Sequence, residues 1–176
     1  MDNAWQMTNY QVNMATMIQL GKWFDYLREN GVYDNTRIII AADHAYFGKQ
    51  LDELVFDPQD LALGDLALFY PLLLVKDFDS NEFVTSTEFM THADVPTFAV
   101  DNLIENPINP FTGKEINNDE KYAHDQYVIC SWEYDIAVNN GTTFIPSRWY
   151  RVKDNLWDLN NWTLLEEVTT MPEECK

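Results

Sequence analysis

An aspartate and a histidine stand side by side at Asp43-His44, directly after the β-branched run Arg37-Ile38-Ile39-Ile40-Ala41-Ala42. A carboxylate beside an imidazole offers mixed oxygen and nitrogen ligation to a divalent ion, and the carboxyl end of a strand is where open α/β sheets gather ligand groups. Two ligands do not hold a catalytic metal alone, and the same pair fits a strand-end aspartate capping a turn beside a surface histidine. His92 is a second candidate. With Asp94 it forms a His-x-Asp pair able to add a metal ligand or a donor to an oxyanion, while Asp94 equally suits the N-cap of a helix with Pro96 in its first turn. His124-Asp125 has no supporting motif. Asp77, Asp79, Asn81 and Glu88 match positions one, three, five and twelve of a calcium loop. Glu82, however, stands where that loop turns on Gly, so the segment reads as a strand end leading into a polar turn.

These groups need elements to place them. From Thr8 to Asn30 the apolar residues Val12, Ala15, Ile18, Leu20, Trp23, Phe24 and Leu27 recur mostly at helical steps, and Gly31 stops the pattern. The unalternating run 37–42 reads as a strand buried on both faces of a parallel sheet. Leu66 to Val75 reads as another strand, with Pro71 pushing it toward an edge or an interruption. Residues 105–126 are rich in Asn and Pro and read as a long surface loop. Beyond them Tyr127–Trp132 and Thr143–Val152 are joined through Asn139-Asn140-Gly141, a hairpin signal. The expected fold class is α/β: a mostly parallel sheet flanked by helices, with a small antiparallel C-terminal sheet. One domain is expected, divided into an α/β part (1–104), the Asn/Pro loop (105–126) and an aromatic-rich tail (127–176).

Composition narrows the function classes. The chain has 176 residues, 46% of them hydrophobic, which suits a globular core. Its 11 Lys and Arg against 29 Asp and Glu give a net charge of −18, which repels phosphate backbones and anionic lipid and makes nucleic acid an unexpected partner. Cys130 and Cys175 are too few for a disulfide framework or a four-cysteine zinc site, and whether they pair is not legible. No apolar run is long enough to span a bilayer, so a soluble chain is expected. Trp132, Tyr134, Phe144, Trp149, Tyr150, Trp157 and Trp162 could form a sugar-stacking face, although aromatics in short strands usually pack a core. Arg148, Arg151 and Lys153 form a basic cluster that could meet an anionic headgroup or the protein's own acids.

The stretch LGKWFDYLRENGVYDNTRIIIAADHA closely resembles the segment leading through the metal-binding Asp-His of sulfatases and lipoteichoic-acid-synthase-like enzymes, members of the alkaline phosphatase superfamily. YPLLLVKDF is similar to the strand that follows in that family, and THADVPTFAVDNL to its helix-opening Asp-x-x-Pro-Thr segment; the resemblance covers about residues 9–103. It implies the C-terminal portion of an alkaline-phosphatase-like catalytic domain, acting on sulfate or phosphate esters such as cell-envelope phosphoglycerol. Asp43 and His44 would be metal ligands and His92 a substrate-binding residue, with Mn, Zn, Mg or Ca as the divalent cofactor. In the family a Thr, Ser or formylglycine nucleophile comes from the N-terminal half, which would be this chain's partner, so the chain by itself is expected to be inactive. Ala45 follows the pair where the family usually has Gly. The parent enzyme is expected on the extracellular face of a bacterial membrane, held there by segments outside this chain. The alternative is a non-catalytic module of the same descent that binds glycans or a protein through its aromatic tail.

Overall fold

The structure is a computed structural model that describes residues 3–45, 52–57, 59, 65–130 and 147–168. The chain forms two compact units. The first joins residues 1–38 to 75–83, and the second joins 39–74 to 84–176.

In the first unit, helix α1 runs Asn3–Glu29. It stops where the pattern of residues says it should. Gly31 adopts a left-handed φ of 66°, its N–H donates to the Arg28 carbonyl, and the Val32 N–H donates to the Leu27 carbonyl. That is the paired closure with which helices satisfy their last carbonyls, and glycine enters it without a Cβ penalty. The following turn is then fixed by Lys76. Its ammonium donates to the carbonyls of Tyr33, Asp34 and Thr36 and lies 4.4 Å from the centre of the Tyr33 ring. Arg37 donates from Nε and from a terminal nitrogen to one oxygen of Asp77, at 3.0 and 2.8 Å. Asp77, first member of the calcium-loop spacing, is thus committed to an arginine.

Strands β1 (Ile38–Ala41) and β2 (Leu73–Lys76) form a two-stranded sheet. It is antiparallel, which overturns the expectation of a mostly parallel sheet flanked by helices. The ends show why. Arg37 meets Asp77 at one end, and the Ala42 N–H donates to the Leu72 carbonyl at the other, 2.8 Å away. Among the described residues between the two strands there are only the 3₁₀ turns Asp52–Leu54 and Leu66–Phe69, and no crossover helix. Lack of alternation in the isoleucine run does not reflect burial on both faces: only Ile38 is buried, and Ala41 is exposed.

The second unit is built on β3 (Gln126–Cys130), β4 (Ser147–Val152) and β5 (Trp162–Val168), antiparallel in the order β3-β4-β5. The register of β3 on β4 runs from Gln126 opposite Val152 to Cys130 opposite Arg148. On the other side Trp149 faces Glu166 while Tyr150 faces Leu164, so Leu165 bulges out of the ladder. Trp149 and Tyr150 are adjacent and therefore point to opposite faces, yet both are buried. Tyr150 and Val152 join Leu54, Leu66, Phe89 and Trp162 in the core. The rings of Phe56 and Trp162 meet Tyr150 edge-on at 5.4 and 6.0 Å, and Phe69 stacks on Trp162 at 5.8 Å. One carbonyl, that of Leu156, accepts both the Tyr70 hydroxyl and the Trp162 indole N–H. Burial pushes the Tyr70 phenol up to about 12, so it stays a donor there across the ordinary pH range. The turn Asn139-Asn140-Gly141, the residues Trp132, Tyr134 and Phe144, and Cys175 lie outside the described residues.

Two outcomes are expected. Tyr150→Ala should cost about 3–5 kcal/mol in urea unfolding followed by tryptophan fluorescence, because it empties the centre of the aromatic core. The Asp77 carboxyl is held below its ordinary 3.8 by the Phe78 N–H and then by Arg37. Its folded value is depressed, so its contribution is complete above the ordinary carboxylate range and is lost as pH falls through the folded value. Asp77→Asn should therefore lower the thermal midpoint of α1 at pH 7, followed by circular dichroism, and leave it less altered in strong acid.

Candidate functional site

The end of β1 is held in place from two directions. Past Ala42, Asp43 folds back on its neighbour so that Oδ1 accepts the His44 N–H at 3.0 Å. The His44 ring turns toward the chain, and its Nδ1 lies 2.7 Å from the Ala45 carbonyl. Ala45 is tied down in turn, its N–H donating to the Leu68 carbonyl at 3.3 Å. That carbonyl belongs to the 3₁₀ turn Leu66–Phe69, whose start is capped by the buried Asp65 accepting from the Ala67 N–H.

His92 reaches the same place from 50 residues away. Its Nε2 lies 2.6 Å from the Ala42 carbonyl, one residue before Asp43. The structure therefore gathers all three candidate residues, Asp43, His44 and His92, around one strand end. A carbonyl can only accept, so Nε2 of His92 and Nδ1 of His44 carry the protons. In the neutral rings this leaves a lone pair on Nδ1 of His92 and on Nε2 of His44. Orienting one ring nitrogen on a carbonyl while the other stays open is the arrangement commonly found at metal-ligating histidines. Nε2 of His44 is 3.8 Å from Oδ2 of Asp43. Two donors each about 2.1 Å from one ion can stand that far apart, so the pair is sterically able to share a cation. Both side chains face solvent, Asp43 at 89% and His44 at 66% exposure. Among the described residues no three His, Cys, Asp or Glu side chains are grouped to hold a metal. Asp43 and His44 offer two donor atoms and not a complete cage.

His92 owes its position to Asp94, together with Thr91 and Lys121, two residues outside the His-x-Asp pair. It opens the 3₁₀ turn His92–Asp94, for which Thr91 is the N-cap. The Thr91 hydroxyl accepts from the Ala93 N–H, and Oδ2 of Asp94 accepts from the Thr91 N–H at 2.6 Å. Asp94 does stand at the N-cap position of the helix that follows, α2 (Val95–Val100), with Pro96 in its first turn, but its side chain makes no capping bond there. It is buried and paired with Lys121 at 3.0 Å. The Thr-x-x-Asp spacing was the available signal for this box; nothing local to Lys121 announced its partner 27 residues earlier.

The other candidates are accounted for differently. Asp125 engages Arg151 at 3.6 Å, and Arg148 meets Asp57 at 3.1 Å, so two of the three basic residues of the tail are held by the protein's own acids. Trp149, Tyr150 and Trp162 are buried, and Trp157 is half exposed with its ring 4.7 Å from that of Tyr70. Trp149, Tyr150 and Trp162 therefore pack a core, and among the described residues Trp157 alone of the tail aromatics named from the sequence keeps an exposed ring. A groove of about 460 Å³ lies between Ser86–Phe89, Lys121–Gln126 and Val152–Asn155, and its walls do not include Asp43, His44 or His92. Among the described residues no helix is long and apolar enough to cross a membrane.

Compared with protein-family models, with curated proteins and with solved structures, the chain matches none.

Lys121→Met should leave the Asp94 carboxylate buried beside the Thr91 N–H without its counter-charge. A loss of about 3–5 kcal/mol is expected in denaturant unfolding, together with a displaced His92 ring resonance in NMR spectra.

Proposed function

We propose that this chain is the metal-ligand-bearing C-terminal portion of a sulfatase-like hydrolase or transferase that acts on sulfate or phosphate esters, cell-envelope phosphoglycerol among them. The observation that carries the reading is the pair of imidazoles at the end of β1. Each is oriented by a backbone carbonyl, and His44 keeps its open nitrogen beside the outward oxygen of Asp43. The sequence likeness over residues 9–103 supports the class of reaction.

Asp43 and His44 would hold the ion, supplying one anionic and one neutral donor, a set that suits Mn²⁺ or Zn²⁺ and also admits Mg²⁺ or Ca²⁺. A bound divalent ion would stabilise charge on the non-bridging oxygens of the ester and lower the pKa of a nucleophile. His92 would face the substrate from the same strand end, its Nε2–H fixed on Ala42 and its Nδ1 open. Electrostatics favour a cation at this point. A chain of net charge −18 repels a phosphate or sulfate ester, and a divalent ion reverses that sign locally while the surrounding acids concentrate such ions. The remaining ligands and the nucleophile would come from the N-terminal half of the parent enzyme, on the outer side of a bacterial membrane.

The test is a titration of ¹⁵N-labelled chain with Mn²⁺. Broadening should begin at Asp43, His44 and Ala45, weaken at least tenfold in Asp43→Ala, and fail to develop there in the Asp43→Ala, His44→Ala double variant. Broadening that spreads evenly over the acidic surface and ignores these substitutions would refute the ligand assignment. Nitrophenyl phosphate and sulfate should not be turned over by this chain, and turnover would show that the nucleophile lies within it.

A further inference from the structure

Residues 42–45 carry the donors of Asp43 and His44, and among the described residues hydrogen bonds tie this stretch to the rest of the protein at three points. The Ala42 N–H reaches the Leu72 carbonyl at 2.8 Å, and the Ala45 N–H reaches the Leu68 carbonyl at 3.3 Å. The third tie is the one that ends on a side chain: Nε2 of His92, 2.6 Å from the Ala42 carbonyl. The bonds from His44 to Oδ1 of Asp43 and to the Ala45 carbonyl lie within the stretch, so they shape it without anchoring it. β1 lends little support, because it belongs to a sheet of two strands, and such a pair is marginal by itself.

The place of the third tie gives it its effect. The Ala42 carbonyl and the Asp43 N–H belong to one planar peptide unit, so whatever holds the oxygen also fixes the direction in which the chain leaves toward Asp43. The next two side chains are exposed, with Nε2 of His44 3.8 Å from Oδ2 of Asp43, and that spacing depends on the backbone beneath them. Released from the bond, the peptide can turn and take the carboxylate with it.

His92 is itself braced. The Thr91 hydroxyl accepts from the Ala93 N–H, Asp94 accepts from the Thr91 N–H, and Lys121 pairs with the buried Asp94 at 3.0 Å. A histidine fastened at its base thus spans a separation of 50 residues, while its ring is exposed and fills no core. What the bond to Ala42 uses is a donor at the end of a stiff side chain. Nδ1 takes no part in it.

We propose that His92 is a positioning residue: through the Nε2–H bond to the Ala42 carbonyl it fixes the conformation in which Asp43 and His44 present their donors to one cation. This role rests on the assignment of Asp43 and His44 as ligands and requires no contact between His92 and the ion or the ester.

Glutamine separates the two uses of the ring, because its amide carries an N–H donor about as far along the side chain as Nε2 and has no counterpart of Nδ1. ¹⁵N relaxation of the metal-free chain and Mn²⁺ titration are to be compared for wild type, His92→Gln and His92→Ala. Without metal, the Asp43 and His44 amides should keep order parameters of about 0.85 in wild type and His92→Gln and fall below about 0.6 in His92→Ala. Mn²⁺ affinity at Asp43 and His44 should stay within about twofold of wild type in His92→Gln and weaken about tenfold in His92→Ala, which must order a further backbone residue on binding. Equal losses in both variants would overturn the proposal and show that the site uses the imidazole itself, through Nδ1. Order and affinity untouched in His92→Ala would overturn it as well. Should the wild-type chain bind no Mn²⁺ at Asp43, the ligand assignment is what fails, and relaxation alone decides the role of His92: loosening confined to His92→Ala supports it, and equal order in all three chains overturns it.

Discussion

β4 must be covered on both faces, and much of the second unit follows from that requirement. Tyr150 has no exposed surface and Trp149, its neighbour, is buried on the opposite side. Covering Tyr150 takes residues far apart in sequence: Leu54 and Leu66 from the 3₁₀ turns, Phe89 from the segment before His92, and Trp162 from β5. Two of these segments lead directly to the candidate residues at the end of β1. The turn Leu66–Phe69 anchors Ala45, and the stretch containing Phe89 continues into Thr91 and His92. The aromatic packing around Tyr150 thereby holds the two chain segments that carry Asp43, His44 and His92.

Cations are scarce in this protein, and the structure employs them inside. Arg37, Lys121, Arg148 and Arg151 each pair with an aspartate, and Lys76 closes a ring of three carbonyls. At these five positions positive charge fastens segments distant in sequence.

What could be read from the residues depended on whether the cause was local. The end of α1 at Gly31 was legible, because closure by a left-handed glycine is decided within one turn. Two of the three strands of the tail, β3 and β4, also announced themselves through aromatic and β-branched runs, whereas β5 did not. The direction of β1 against β2 did not, since parallel or antiparallel pairing is settled by contacts such as Arg37 with Asp77, 40 residues apart. The role of Asp94 was half visible: its type and position marked a cap, but the capping box with Thr91 and the ion pair with Lys121 gave it a different task. Asp43 and His44 could be named from their place at a strand end, and His92 from its spacing to Asp94. That all three would meet at Ala42 required the chain to be folded.

The first unit is discontinuous, and this sets an order of assembly. Lys76 and Asp77 complete the turn after α1, yet residues 39–74 belong to the other unit and separate them from Tyr33 and Arg37. Helix and Gly31 closure can form on local information alone, on the microsecond scale of helix formation. The ring of carbonyls around Lys76 must wait for a loop of nearly forty residues to close, at an entropic cost that only long-range contacts repay. During synthesis α1 therefore emerges with its C-terminal turn unfastened, and the ribosome must deliver the whole excursion before the lysine that locks it arrives.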